Sequence, residues 1–207
     1  MSSPLVLHGT RTSGHTHRVF AFLSILGLAH RFEDSPQAVR RTAAFLALNP
    51  LGQVPVLEDG ELVLADSNAI LVYLARRYAP GSPWLPDDPV VAAHVQRWFS
   101  IAAGELFQGP ALARLGTLWG RGVDVARARE AGARLLAFLE GVLGGRAWLA
   151  AGHPTLADLS LYPYVARAPE GRLDLAPLPA VRAWIDRVEA LPGMPAMPRT
   201  PIPDGAP

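Results

Sequence analysis

Every strand signal in this chain lies before residue 66, and that asymmetry restricts its fold more than any other feature. Leu5-Val6-Leu7 is a short apolar run of buried-strand type, followed by the polar turn Gly9-Thr10-Arg11-Thr12-Ser13-Gly14. Val19, Phe22, Leu23 and Leu26 then recur at helical spacing, and Gly27 is placed to end that helix. Ala44 to Leu48 fits a short helix, broken by Asn49-Pro50-Leu51-Gly52. The apolar runs Val54-Pro55-Val56-Leu57 and Leu62-Val63-Leu64 are joined through Asp59-Gly60, which predicts a hairpin. Asp66-Ser67 opens a helix with Ile70, Leu71, Leu74 and Tyr78 on its buried stripe. With a second strand between the first helix and the hairpin, residues 1–79 read as a small α/β domain.

The segment from Ala79 to Pro89 carries four prolines, a glycine and two aspartates. That is the composition of an interdomain linker, assigned to residues 80–89. Beyond it the strand signals fade. Residues 90–110, 123–144 and 155–168 carry helical patterns and 178–191 adds a shorter one, so residues 90–207 are expected to be all-helical. Thr155 is an N-cap with Asp158 three positions on, the spacing of a capping box. Pro163, two turns further in, is expected to bend that helix. The proline-rich tail from Gly193 onward reads as an extended terminus rather than a proline-recognition ligand. The expected fold class is α/β plus all-α.

Composition removes several chemistries. The chain has no cysteine and no lysine. Disulfide scaffolds, thiolate zinc sites, Cys-x-x-Cys redox centres, cysteine nucleophiles, Schiff bases and Walker-type phosphate binding are therefore excluded. Any thiol chemistry must take its sulfur from a ligand. His8, His15 and His17 fit no standard metal spacing, so no metal is expected. A net charge of +1 over 207 residues gives no global pull towards nucleic acid or an anionic membrane. The best uncharged runs, such as Val19 to His30, are too short to span a bilayer. No signal peptide is visible at the N-terminus, which makes the cytoplasm the expected compartment.

Three places suit a small anionic ligand. An X-Pro bond at the head of a strand is a favourable site for a cis peptide, turning the Val54 backbone outward to grip a peptide-like molecule by β-pairing. Asp66-Ser67 stands at a helix start, where the first amides attract a carboxylate. Ser13 precedes another helix, so its hydroxyl and the helix's positive end face an anion. Read singly, Ser13 and Asp66-Ser67 are ordinary capping residues, Arg40 and Arg41 a solvated basic pair, and Trp119, Tyr162 and Tyr164 core or interface aromatics. Together the three places suit a small extended peptide carrying carboxylates and one anionic atom.

The run Asn49-Pro50-Leu51-Gly52-Gln53-Val54-Pro55-Val56-Leu57, followed by Ala65-Asp66-Ser67-Asn68-Ala69-Ile70-Leu71-Val72-Tyr73-Leu74, resembles the cytosolic glutathione transferase family. Thr155-Leu156-Ala157-Asp158 resembles that family's second-domain capping box. Tyr162-Pro163-Tyr164 with Ala168-Pro169-Glu170-Gly171 resembles a bacterial branch. The resemblance implies a thioredoxin-like N-terminal domain binding glutathione and an all-helical C-terminal domain shaping an electrophile pocket. It implies that the Val54 backbone pairs with the cysteinyl part of glutathione, with Pro55 cis. Asp66 and Ser67 then hold the γ-glutamyl end with Gln53 beside them, and Arg40, or Arg41 in reserve, meets the glycine carboxylate. Ser13 matches the activating serine of the serine-type classes. Relatives of this branch commonly follow the serine with Gly-Asn where this chain has Gly14-His15, so the contact to sulfur falls to Ser13, His15, Thr12 or Thr10. Trp119, Tyr162 and Tyr164 are candidates for the electrophile pocket, and the family implies a homodimer.

The mechanism implied is activation of the ligand's thiol. A thiol with a pKa near 8.5 is a few per cent ionised at neutral pH. Lowering that pKa by about two units needs about 2.7 kcal/mol. One hydroxyl hydrogen bond to charged sulfur supplies about 1.5–3 kcal/mol, and a helix N-terminus up to about 1 kcal/mol. Two alternatives stand beside transfer to a small hydrophobic electrophile. One is a glutathione-dependent peroxidase or disulfide reductase. The other is a non-catalytic glutathione-binding or scaffold module, since fold alone does not establish activity.

Overall fold

The computed structural model describes residues 4–120 and 122–206. β1 (Leu5–Gly9) lies inside a four-stranded sheet, because α1 (Gly14–Ile25) carries the chain back and places β2 (His30–Asp34) parallel beside it, Leu7 against Phe32. On the other side β3 (Val56–Asp59) runs antiparallel, Leu7 against Leu57. β4 (Leu62–Ala65) completes the order β2-β1-β3-β4, with Leu57 against Leu64. The hairpin turns at Asp59-Gly60, where Gly60 takes φ 61°, a left-handed conformation open to glycine at no steric cost. β3 begins two residues after its apolar run does. Pro55 has no N–H to give a ladder, and the Val54–Pro55 peptide is cis. Two short helices, α2 (Gln37–Arg40) and α3 (Ala43–Leu48), connect β2 to β3, and α4 (Ser67–Tyr78) follows β4. α2 was not anticipated: four residues carry no readable period.

The rest of the chain is helical: α5 (Pro89–Ala103), α6 (Leu112–Trp119), α7 (Val125–Leu143), α8 (Leu156–Ala166) and α9 (Pro179–Glu189). The single helix expected over 90–110 is interrupted. α5 ends at Ala103, with the Gly104 N–H donating to the Ser100 carbonyl at 2.9 Å. A π-helical turn over Phe107–Ala111 then leads into α6, which the periodicity had not revealed. A Cβ at Gly109 would lie 2.7 Å from the Cα of Gly132 in α7. The two backbones touch there, and that approach accounts for Gly109-Pro110 at the redirection.

α8 is the central helix of this part, with all its residues buried and α1, α5 and α9 packed on it. A helix covered on every side has no amphipathic stripe, so its capping residues are its clearest mark. The capping box forms as expected: Asp158 accepts from the Thr155 N–H at 2.9 Å while Thr155 caps the first turn. The helix continues through Pro163 to Ala166. Phe22, Leu71, Trp98, Leu159 and Trp184 belong to one continuous apolar core, so the sheet part and the helical part are cemented together. The tail is packed in an extended course: Met197 N–H donates to the Tyr162 hydroxyl at 3.1 Å, and Thr200 N–H to Glu170 Oε1 at 3.0 Å. No helix among the described residues is long and apolar enough to cross a membrane. Among the same residues no cluster of His, Asp or Glu is arranged to hold a metal ion.

His17 makes the fold sensitive to acid. It is 4% exposed and its ring lies 5.9 Å from that of Tyr162. Burial dominates its titration and pushes the pKa down to about 4, with a hydrogen bond to the Pro195 backbone pulling the other way. In the unfolded chain the imidazole titrates near 6.5, so below that pH the unfolded state holds more protons. Stability is therefore present above the unfolded pKa and falls by up to about 1.4 kcal/mol per pH unit as the pH drops towards 4. Urea denaturation at about pH 7.5 and about pH 4.5 is expected to show the loss, with His17→Gln removing about 2 kcal/mol of it.

Candidate active site

The turn after β1, the loop before β3 and the helical part enclose a cleft of about 500 Å³. Thr10, Thr12, Ser13, His15, Gln37, Arg40, Gln53 and Val54 line it from the sheet part. Phe107, Arg114, Leu115, Trp119 and Tyr164 line it from the helical part. Among the described residues Arg40 and Arg114 line the space and no carboxylate does. Arg114 is ion-paired with Glu170 behind the wall, and a lining without negative charge suits an anion. A larger hollow of about 670 Å³ between α5 and α7, lined by Arg97, Gln108, Arg134 and Phe138, holds none of the residues singled out from the sequence.

Ser13 is the N-cap of α1, with extended backbone at φ −80° and ψ 122°. Its Oγ accepts from the Thr16 N–H at 3.2 Å. That bond uses a lone pair and leaves the hydroxyl proton to be donated, so the capping role and an anion-facing role are compatible on one atom. The turn is braced from both ends. Ser13 N–H donates to the Thr10 carbonyl at 3.0 Å, and Arg114 Nη1 donates to the Thr12 carbonyl at 2.7 Å. Tyr164 presses on the helix start, since a Cβ at Gly14 would meet its ring at 2.8 Å.

His15 stands behind Ser13, its ring edge-on to Tyr164 at 5.1 Å. Burial, and then the Arg18 charge, push its pKa down to about 3. The ring is neutral at physiological pH, and it enters chemistry as a single N–H donor rather than as a cation. Its Nδ1 lies 3.5 Å from Ser67 Oγ, at the outer limit of a hydrogen bond.

The Asn49-Pro50-Leu51-Gly52 turn is held by its own first residue. Asn49 Oδ1 accepts from the Leu51 N–H at 3.1 Å, and Asn49 Nδ2 donates to the Gln53 carbonyl at 2.9 Å. Gly52 takes φ 61°, and a Cβ there would lie 3.2 Å from the Arg40 carbonyl. This arrangement delivers Gln53 and Val54 to the cleft wall, with Pro55 buried behind them. Arg40 reaches the cleft, whereas Arg41 lines a separate hollow with Leu46 and Leu51.

Asp66 and Ser67 adjoin the cleft through His15 rather than lining it. Asp66 caps α4, its Oδ1 accepting from the N–H groups of Asn68 and Ala69, both at 2.9 Å. It takes φ 73°, a strained conformation for a residue with a side chain, of the kind that gathers at functional sites. Ser67 is buried and accepts from Arg18 Nη1 at 3.3 Å.

The aromatic candidates separate. Tyr164 and Trp119 line the cleft, with the Arg114 guanidinium 5.3 Å from the Trp119 ring centre. Tyr162 does not. It is fully buried, donating to Glu189 Oε1 at 2.6 Å and accepting from Met197 N–H. Successive helical residues turn by about 100°, so positions two apart face nearly opposite ways and Tyr162 and Tyr164 cannot share one cleft. Three residues went unmarked in the sequence: Arg18, Arg114 and Phe107. Arg18 alone left a signal, a charge set beside Val19 on the apolar face of a predicted helix.

Residues 7–83 match the family model for the glutathione S-transferase N-terminal domain, and residues 122–187 that for the C-terminal domain. The chain is 34% identical over 184 residues to glutathione S-transferase theta-2 of Homo sapiens, spanning 84% of this chain and 75% of that protein. It resembles the crystal structure of a glutathione S-transferase from Xanthobacter autotrophicus py2 at TM-score 0.86 and 37% identity, covering 94% of this chain and 97% of that one. A theta class glutathione S-transferase from Xanthomonas axonopodis pv. citri, solved with glutathione bound, matches at TM-score 0.83 and 28% identity, covering 92% and 95% of the two chains.

Proposed function

Since the chain belongs to the cytosolic glutathione transferase family and is an enzyme of that family, we propose that its cleft binds glutathione as a thiolate and that Ser13 donates the hydrogen bond that keeps it ionised. The observation carrying this reading is the Ser13 hydroxyl: its lone pair is engaged by Thr16 N–H, and its proton is left for a cleft that no carboxylate among the described residues lines. The Val54 backbone pairs with the cysteinyl unit, Asp66 and Ser67 hold the γ-glutamyl end beside Gln53, and Arg40 meets the glycine carboxylate. A small hydrophobic electrophile lies against Trp119, Tyr164 and Phe107. There the sulfur forms a bond to the electrophilic carbon, and the leaving group departs with its bonding pair. On this reading residues 1–79 are the glutathione domain, 80–89 the linker and 90–207 the helical domain of a homodimer.

Ultraviolet titration of the thiolate of bound glutathione tests the proposal. The bound thiol is expected to ionise about two units below its free value near 8.5, accompanied by turnover of an activated aryl halide. A bound thiol that still titrates near 8.5 would leave a binding module without transferase chemistry.

A further inference from the structure

Among the described residues two arginines are buried to within 2% of full enclosure, Arg18 and Arg114, and they are treated very differently. Arg114 is fully engaged. Its Nε donates to Glu170 at 2.7 Å, its Nη1 to the Thr12 carbonyl at 2.7 Å, and its Nη2 to Thr200 Oγ1 at 3.1 Å. Arg18 has one working nitrogen: Nη1 donates to Asn68 Oδ1 at 3.0 Å and to Ser67 Oγ at 3.3 Å. Its Nε and Nη2 have no partner. Among the described residues no carboxylate makes an ion pair with it.

A buried cation lacking a paired anion is costly to a fold, and the local architecture does not need one. Asn68 is already tied across the core, its Oδ1 accepting from Ser160 Oγ at 2.8 Å and its Nδ2 donating to the Phe99 carbonyl at 3.4 Å. A neutral donor at position 18 would serve Asn68 equally. What the charge does serve is the first residue of α4. Arginine has no acceptor, so Ser67 Oγ must be the acceptor in their bond, and the Ser67 hydroxyl proton points elsewhere. The other neighbour is the neutral His15 ring, at the limit of contact. The Ser67 hydroxyl proton thus lies at the start of α4, which Asp66 already caps, beside a guanidinium that still has two N–H groups without a partner.

We infer that Arg18 is a positioning residue for a ligand carboxylate at the start of α4: it orients the Ser67 hydroxyl as a donor, and its charge, which Asp66 meets only from beyond ion-pair distance, gains a nearer counter-charge when that carboxylate binds. The inference rests on the glutathione reading, within which the carboxylate is the α-carboxylate of the γ-glutamyl unit.

The test compares two ligands on the intact protein by calorimetry: glutathione, and 4-aminobutyryl-cysteinyl-glycine, which lacks only that carboxylate. Wild type is expected to prefer glutathione, and Arg18→Gln, which keeps a donor for Asn68, to reduce the preference tenfold or more while the analogue's Kd moves less than threefold. The melting temperature of the unliganded variant is expected to hold or rise, because the buried charge is gone, while the rise induced by glutathione shrinks. Arg18→Met, of similar length and without polar atoms, is expected to behave alike. Equal loss of affinity for both ligands, or an unchanged preference, overturns the role given to Arg18 and leaves the glutathione reading standing. Failure of wild type to bind glutathione overturns both.

Discussion

Ser13→Ala is expected to lower conjugation at about pH 7 by roughly 30-fold, the kinetic equivalent of about 2 kcal/mol for one hydrogen bond to a charged atom. The loss is expected to be pH-dependent. With the donor gone, the bound thiol's pKa moves back towards 8.5, so the deficit is large at neutral pH and closes as the pH approaches 9.5. A group that positioned the electrophile instead would leave a deficit of constant size. Ser13 also caps α1 through Thr16 N–H, so the variant loses about 1 kcal/mol of stability as well, too little to unfold a domain. A thiol pKa that stays low in the variant would remove Ser13 as the donor. The neighbours on the same turn, Thr10 and Thr12, and the neutral N–H of His15 would then be substituted in turn, since all three line the cleft.

The largest expected effect on stability belongs to Asp158, which touches nothing in the cleft. Its carboxylate is fully buried. It accepts from Thr155 N–H at 2.9 Å, Thr155 Oγ1 at 3.2 Å, Leu149 N–H at 3.0 Å and Trp184 Nε1 at 2.9 Å. One side chain therefore joins the start of α8, the loop before it and α9. Burial raises the Asp158 pKa, and the hydrogen bonds from Trp184, Thr155 and Leu149 oppose that rise. Asp158→Ala strands these donors out of water, at about 1–3 kcal/mol each where no water or shifted group replaces the oxygen. A net loss of about 4 kcal/mol is expected, lowering Tm by about 10 °C for a chain of this size. Calorimetric melting checks the first figure. The fraction that remains folded is expected to keep its thiol pKa, which separates this residue from Ser13.

Much of the N-terminal half was legible because its signals are local. The hairpin at Asp59-Gly60, the caps at Ser13, Asp66 and Thr155, and the Asn49 turn each depend on residues within four positions of one another, and all form as read. The helical half was harder to read. α5 ends at Ala103 and α6 is separate, and between them Gly109 touches Gly132, a contact between segments more than twenty residues apart that no periodicity reports. α8 is buried on every face and has no amphipathic stripe, so its start is marked most sharply by its capping box.

Residue types and local geometry, then, determined from sequence where the chain turns, which residues begin its helices and which chemistry it lacks without cysteine or lysine. The tertiary structure decided which side chains meet. Tyr164 faces the cleft and Tyr162 the tail, although they are neighbours in one helix. Arg40 reaches the cleft and Arg41, next to it, does not. Arg114 braces the Ser13 turn from 102 positions away, and Arg18 reaches Ser67 across 49. A capping bond is closed by the local backbone and leaves its mark within a few residues, whereas a long side chain's partner is set by the packing angle of a distant helix, which only the assembled core supplies.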